Sequence, residues 1–225
     1  MNRISKRLEV IASYAYDNSK IIDIGCDHGL LSIYLAKKYK NVKIIASDVN
    51  QNALNNAINN INKEHLDKRI DIRLGSGLDV VRAEEIDTII ISGMGANTIV
   101  GILKYSTDKL KNVNTLIIQS NTDLYFLRKN VTELGYYIED ETLVEEANII
   151  YTVIKFSKGK KRYNYKELYL GPILIKKNDK LFNKIIDKEK KTIMMILSRI
   201  KKGHLLYRLK LRRNLKILKM IENGY

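Results

Sequence analysis

KIIDIGCDHGLLSIYLAKKY, residues 20–39, passes from a short apolar run through a glycine-bounded loop into a stretch dense enough in Leu and Ile to pack as a helix on a sheet. The pattern repeats downstream. KIIASDVN (43–50) reads as strand and QNALNNAINNINK (51–63) as helix, with Ala53, Leu54, Ala57, Ile58 and Ile61 toward the core. IDIRLG (70–75), DTIIISGM (87–94) and NTLIIQSN (114–121) are further strands, the last two apolar enough to be central and parallel. Ahead of them, Ile4, Leu8, Ile11, Ala12 and Ala15 space a helix across residues 3–16. Such alternation predicts an α/β sheet covered on both faces.

Residues 136–159, YYIEDETLVEEANIIYTVIKFSKG, break the rhythm: two extended segments meet at a polar turn, Ala147 and Asn148, and predict a β-hairpin closing the sheet. A parallel sheet ended by an antiparallel hairpin is the layout of Rossmann-like methyltransferases, whereas nicotinamide dehydrogenases usually continue with parallel units. Beyond Gly171 and Pro172 the spacing predicts a helix over 177–200, with Leu181, Ile185, Lys188, Thr192, Met195 or Ile196, and Ile200 as its inner stripe. Gly203 breaks it, and a second helix over about 205–221 offers Leu205, Leu209, Leu215, Leu218 and Ile221 to an antiparallel neighbour. The expected division is a first domain at 1–160 and a helical one at 161–225.

Charge separates the two parts. Residues 1–150 hold 18 Lys and Arg against 20 Asp and Glu, whereas residues 151–225 hold 22 against 5. A compositional drift toward Lys would act on both parts alike, so the imbalance points to a polyanion-binding surface. An anionic membrane would attract the same charge, but no stretch has the apolar length of a membrane span and the start lacks a signal-type segment, so a cytoplasmic protein is expected. One cysteine excludes an intramolecular disulfide, and with three scattered histidines it gives no metal-ligand spacing.

Loops at Gly25, Asp48, Gly75 and Gly93 leave the carboxyl ends of strands, where open α/β sheets bind ligands. The first has the spacing D-x-G-x-x-x-G, with Asp23, Gly25 and Gly29, instead of the dinucleotide fingerprint. Asp27 within it would repel a diphosphate but not S-adenosylmethionine, whose sulfonium and amino groups are positive. Asp48, with Val49 beside it, suits either a ribose clamp or a cap for the next helix, jobs that do not exclude each other. Gly75, Gly77 and Leu78 are placed to line an adenine ring. Cys26 reads as a small packing residue at this cofactor site.

The fourth loop, ISGMGAN (91–97), lacks the acid or asparagine, prolines and aromatic ring of enzymes that methylate exocyclic adenine nitrogens. Met94, Gly95 and Ala96 leave room for a flat base but cannot accept hydrogen bonds with their side chains, which suggests a target that already has a lone pair, such as adenine N1. Asp27 is the candidate to stabilise the cation formed or to accept the N6 proton. His28 orients Asp27, contacts the base or caps the following helix; Asn121 meets the base edge or caps a helix over 122–134.

Taken together, IIDIGCDHGLLSI (21–33), GSGL (75–78), IDTIIISGMG (86–95), IIQSN (117–121) and LGPILI (170–175) resemble the bacterial tRNA (adenine22-N1)-methyltransferase family, TrmK. The resemblance implies an S-adenosylmethionine-dependent enzyme methylating N1 of adenine 22 in the D-arm region of tRNA. It implies a seven-stranded Rossmann-like class I domain followed by an antiparallel, coiled-coil-like helical domain that helps hold tRNA. Asp27 and His28 match the family's Asp-His pair, Gly93 and Gly95 its Gly-Met-Gly loop, and Gln119 and Asn121 its Gln-Pro-Asn loop, with Ser120 in place of proline.

Basic residues near aromatic ones form the candidate RNA surface: Lys160, Lys161, Arg162 and Tyr163 in the connecting segment, and Arg3 and Arg7 on the first helix. Lys201, Lys202, Arg208, Arg212 and Arg213 extend it along the tail. No metal is implied, and a monomer is the expected working unit. The alternatives are methylation of another RNA or DNA base, or a nucleic-acid-binding module without catalysis.

Overall fold

Strongly apolar runs become strands buried from both faces, and β1 (Lys20–Ile24), β2 (Lys43–Asp48), β4 (Thr88–Met94) and β5 (Thr115–Ser120) are built this way, whereas β3 (Ile70–Leu74), with Asp71 and Arg73 inside it, is buried only at Ile70. With β6 (Tyr136–Glu146) and β7 (Ile149–Lys158) they form a seven-stranded sheet in the order β3-β2-β1-β4-β5-β7-β6. The first five strands run parallel; β7 is antiparallel to both β5 and β6. In this computed structural model, residues 4–200 and 204–222 are described. β5 is buried along its whole length.

The helices of this part are α1 (Lys6–Ser13), α2 (Leu30–Lys38), α3 (Gln51–Lys63), α4 (Ala96–Tyr105) and α5 (Leu124–Glu133). α1 is shorter than the 3–16 reading, because Ser5 caps it by accepting from Leu8 N. Its buried Ile11 and Ala12 seat it, and it packs against β5, β6, β7 and α2. α5 is fastened to β6 by a fully buried ion pair, Arg128 Nε to Glu141 Oε1 at 2.7 Å.

Strand order reverses at β1: the chain passes from β1 outward to β2 and β3, then crosses back to β4 on the other side. The cleft between the carboxyl ends of β1 and β4 is therefore a topological switch point.

The chain divides into two units between Tyr163 and Asn164. Tyr163 is tied to the first unit by a side-chain hydrogen bond to β6. The β6 register shifts between Ile138 and Asp140, and the Tyr163 hydroxyl accepts from Ile138 N at 2.8 Å.

The second unit holds α6 (Tyr165–Leu170), α7 (Pro172–Lys177), α8 (Lys180–Arg199) and α9 (Leu205–Glu222). A capping box between Asn164 and Glu167 starts α6, and Asp179 caps α8. α8 and α9 pack on one another, and their buried residues match the expected stripes in part: Leu218 is fully buried and Leu181, Ile185, Ile196 and Leu215 are half-buried. Apolar residues on α8 come in adjacent pairs, Leu181–Phe182 and Ile185–Ile186; the structure buries the second of each, with Ile193, and leaves Lys188 and Met195 exposed. On α9 the buried residues are Leu211, Asn214 and Leu218, while Leu205 and Leu209 are exposed. Asn214 can be buried because its Oδ1 accepts from the Tyr165 hydroxyl at 2.8 Å. Among the described residues no helix is long and apolar enough to cross a membrane.

The β6–β7 turn puts both central residues at positive φ, Ala147 at 48° and Asn148 at 63°. This is the twist that two-residue hairpins prefer, but a Cβ at the first position is strained where Asn at the second is tolerated. Ala147→Gly should stabilise the protein by about 0.5–1 kcal/mol, read as a higher denaturant midpoint at unchanged slope; a lower midpoint would show the turn to be unstrained.

Candidate active site

A cavity of about 590 Å³ opens at the switch point, over the carboxyl ends of β1 to β4. Asp23, Gly25, Cys26, Asp27 and His28 line it from the first loop, and Asp48 and Val49 from the second. Gly75 and Gly77 line it from the third, and Gly93 and Met94 from the fourth. Two expected cofactor residues do not. Leu78 is turned into the core, only 1% exposed, so Ser76, Gly77 and Ile102 form that wall. Gly29 instead lets α2 approach α3: a Cβ there would stand 3.2 Å from that of Ala57.

The first loop is folded tightly against its neighbours. Gly25 has φ +74°, a backbone conformation that strains any residue with a Cβ, and the end of the Met94 side chain lies against the space a Cβ would take. Gly25 N and Cys26 N donate to Ser47 O, and Asp27 N donates to Asp48 Oδ2 at 3.2 Å. Asp27 itself takes φ +48°, a conformation Asp tolerates better than most residues. Its side chain is 70% exposed, and His28 Nε2 stands 3.6 Å from Asp27 Oδ1. Capping is thereby set aside for two residues. Gly29 occupies the N-cap of α2, so His28 is not its cap; Asn50 caps α3 through Asn52 N and Ala53 N, while Asp48 Oδ1 accepts from Asn50 N at 2.9 Å and Asp48 lines the cavity.

Three carboxylates converge here. Asp23 is 2% exposed and accepts from Ser32 Oγ at 2.8 Å. Burial, with Asp48 nearby, pushes its pKa up to about 6 despite that bond. Burial and the same two aspartates push the Cys26 thiol up to about 12, so it packs and does not act as a nucleophile.

The fourth loop is held by a device that the sequence reading did not resolve. β4 bulges between Ser92 and Met94, where Gly93 takes φ +79°. The peptide groups freed by the bulge are met from β5: Gly93 N donates to Gln119 Oε1 at 3.0 Å, and Asn121 Nδ2 donates to Gly93 O at 2.7 Å. Gln119 Nε2 donates in turn to Asn121 Oδ1 at 2.9 Å. Asn121 is therefore neither a helix cap, since Asp123 caps α5, nor part of the first cavity. It lines a second one of about 550 Å³, with Thr122, Asp123, Ile149 and Tyr151. Ser120, in place of proline, secures the turn by donating to Thr122 O at 2.8 Å.

Arg7 reaches this network from α1. Its Nη1 donates to the fully buried Gln119 at 2.6 Å, and its guanidinium lies 5.1 Å from the centre of the Tyr151 ring. It lines the first cavity instead of standing free on the surface, as expected of a phosphate contact. No local pattern announces this, because Arg7 and Gln119 are 112 positions apart.

Other basic candidates fall into two groups. Lys160, Lys161, Arg162 and Arg212 are exposed. Arg208 is committed to the end of α8, donating to Ile200 O at 2.8 Å, and Arg213 stacks 3.5 Å from the centre of the Tyr165 ring. Tyr163 has its hydroxyl engaged by β6. Arg3, Lys201 and Lys202 lie outside the described residues.

The profile of the TrmK family, tRNA (adenine(22)-N(1))-methyltransferase, matches residues 21–221. The tRNA (adenine(22)-N(1))-methyltransferase of Bacillus subtilis (strain 168) is 31% identical over 188 residues, 81% of this chain and 79% of that one. The crystal structure of the B. subtilis M1A22 tRNA methyltransferase TrmK is similar with a TM-score of 0.89 at 27% identity, covering 98% of this chain and 99% of that one. The structure of M. capricolum TrmK in complex with the cofactor product S-adenosyl-homocysteine has a TM-score of 0.85 at 29% identity, covering 97% and 98%. With the family profile spanning nearly the whole chain, from β1 to the end of α9, the protein belongs to the TrmK family of tRNA (adenine(22)-N(1))-methyltransferases.

Proposed function

We propose that this protein transfers a methyl group from S-adenosylmethionine to N1 of adenine 22 in the D-arm region of tRNA, in the cytoplasm. The observation that carries the reading is the acidic cavity at the switch point, where Asp23, Asp27 and Asp48 meet. A diphosphate would be repelled by these groups; a sulfonium and an ammonium are attracted by them. When bound, S-adenosylmethionine supplies an electrophilic methyl carbon. Asp48 accepts from the ribose hydroxyls, Gly75 to Gly77 offer backbone to the adenine ring, and Gly25 admits the ligand close to the main chain.

Adenine N1 needs no deprotonation to act as a nucleophile, so the protein's task is to place an unpaired base and to favour the cation that forms. Asp27, at the exposed mouth of the cavity, supplies the negative charge, and His28 steadies it. Gly93 and Met94 form a wall without bulky polar groups, held by Gln119 and Asn121. Exposed Lys160, Lys161, Arg162 and Arg212, with the basic helical unit, bind phosphates along the tRNA.

Unmodified tRNA incubated with the purified protein and S-adenosylmethionine should acquire N1-methyladenine at position 22; a different methylated base would reject the reading. Asp27→Asn keeps the shape of the side chain and its tolerance of positive φ. It should leave tRNA binding intact and lower single-turnover methylation by about 100-fold or more, and near-normal turnover would remove Asp27 from the chemistry.

Asp23 must be ionised to meet the cofactor's positive charge. Its folded pKa of about 6 lies above the value in the unfolded chain, so the unbound protein loses stability as pH rises toward and through 6, while the cofactor gains affinity over the same window. Calorimetric titration should show S-adenosylmethionine binding weakening by roughly tenfold per pH unit below about 6. Asp23→Asn should bind more weakly at neutral pH and lack this inflection. Equal wild-type affinities at pH 5 and 7.5 would exclude the linkage.

A further inference from the structure

The second cavity, of about 550 Å³, has no role in the chemistry proposed above. Its two sides differ in kind. On one, β5 pairs with β7 only as far as Val153 while β6 continues to Ile149, so Ile149 to Thr152 run past the end of β5 with a ladder neighbour on one side only. Ile149, 53% exposed, and Tyr151 give this side an apolar and aromatic surface. The other side is the corner from Asn121 to Asp123. It is fixed to the β4 loop, since Asn121 N donates to Met94 O at 2.9 Å and Ala96 N donates to Thr122 Oγ1 at 3.1 Å. Asp123 accepts from Phe126 N through Oδ1, and among the described residues its Oδ2 has no hydrogen bond.

An unstacked nucleobase needs a surface for its ring and partners for its edge, and this slot offers both. A peptide strand is the poorer occupant, because the lane beside β7 is filled by β5 from Val153 onward and only Ile149 to Thr152 are left to pair. Position also favours RNA. Gly93 lines the first cavity and Asn121 the second, and Asn121 Nδ2 donates to Gly93 O at 2.7 Å, so the two cavities lie back to back across one hydrogen bond. Arg7, in the wall of the first, lies against the ring of Tyr151 in the second. A target adenine that leaves its helix for the first cavity takes away the stacking partner of the nucleotide bonded to it. That neighbour is tethered by one phosphodiester, which keeps it close to the shared wall.

We propose that the second cavity receives the nucleobase next to the target adenine in the RNA chain, with Ile149 and Tyr151 against its ring and Asp123 accepting from an N–H on its edge. The assignment rests on the proposed function for the identity of the target, and adds to it a site that holds the RNA open. Ile149 and Asp123 are positioning residues, lining the second cavity and not the first.

The test uses the full chain and S-adenosylmethionine with three tRNAs: one intact, one lacking base 21 and one lacking base 23, each with its sugar-phosphate chain unbroken. Wild type should methylate adenine 22 in one of the two abasic tRNAs with kcat/KM lower by about tenfold or more, the loss expected when a stacked base is removed. Ile149→Ala alters an exposed side chain, and Asp123→Asn keeps both the helix cap and the tolerance of positive φ. Each should lower kcat/KM on intact tRNA while leaving S-adenosylmethionine affinity, measured without RNA, unchanged; that affinity also reports a folded first cavity. On the sensitive abasic tRNA the variants should equal wild type, because the contact is already gone. Penalties that multiply would assign the abasic loss to the tRNA's own folding and overturn the proposal, as would undiminished wild-type kinetics on both abasic tRNAs or weakened cofactor binding in both variants. Failure of wild type to methylate intact tRNA at adenine 22 would defeat the functional reading itself.

Discussion

The site depends on a bulge in a parallel strand. Gly93 leaves the β4 ladder with positive φ, and a buried peptide group taken out of its ladder must find other partners. Gln119 and Asn121 provide them from the next strand, one accepting from the N–H and the other donating to the carbonyl. The same glutamine oxygen receives Arg7, so α1, β4 and β5 are joined at one atom. Without this arrangement Met94 would not close on Gly25, and the cavity would lose the wall that faces its first loop.

Electrostatic division between the two ends of the chain matches two different ligands. The cavity concentrates carboxylates at a switch point, where desolvation raises Asp23 and leaves it ready for a cation. The helical unit carries most of the excess positive charge and so attracts a polyanion. Some of that charge is spoken for internally: Arg208 closes the end of α8 and Arg213 covers the Tyr165 ring. The phosphate-binding capacity of the unit therefore rests on fewer side chains than its composition implies.

The strands and the loops that leave them could be read from the sequence, because an apolar run ending in Gly or Asp encodes a buried strand and its turn in the same few residues. Asp23, Asp27, Asp48 and Gly93 were placed at the cavity by that logic alone. On α8 the adjacent pairs Leu181–Phe182 and Ile185–Ile186 satisfy a helical period equally well, and only packing decides between them. Asn214 could not be recognised as a core residue without its partner Tyr165, and Arg7 could not be assigned to the cavity without Gln119. In each case the missing information was a contact between distant parts of the chain.

β6 forms one outer border of the sheet, and its length would make it a template for a strand from another molecule. Its irregularity at Glu139 works against that outcome. A neighbour aligned there would meet an interrupted row of backbone partners. The opposite border, β3, is short and carries Asp71 and Arg73 paired with one another. Both flanks are thus protected against aggregation by the same local choices that give the sheet its shape.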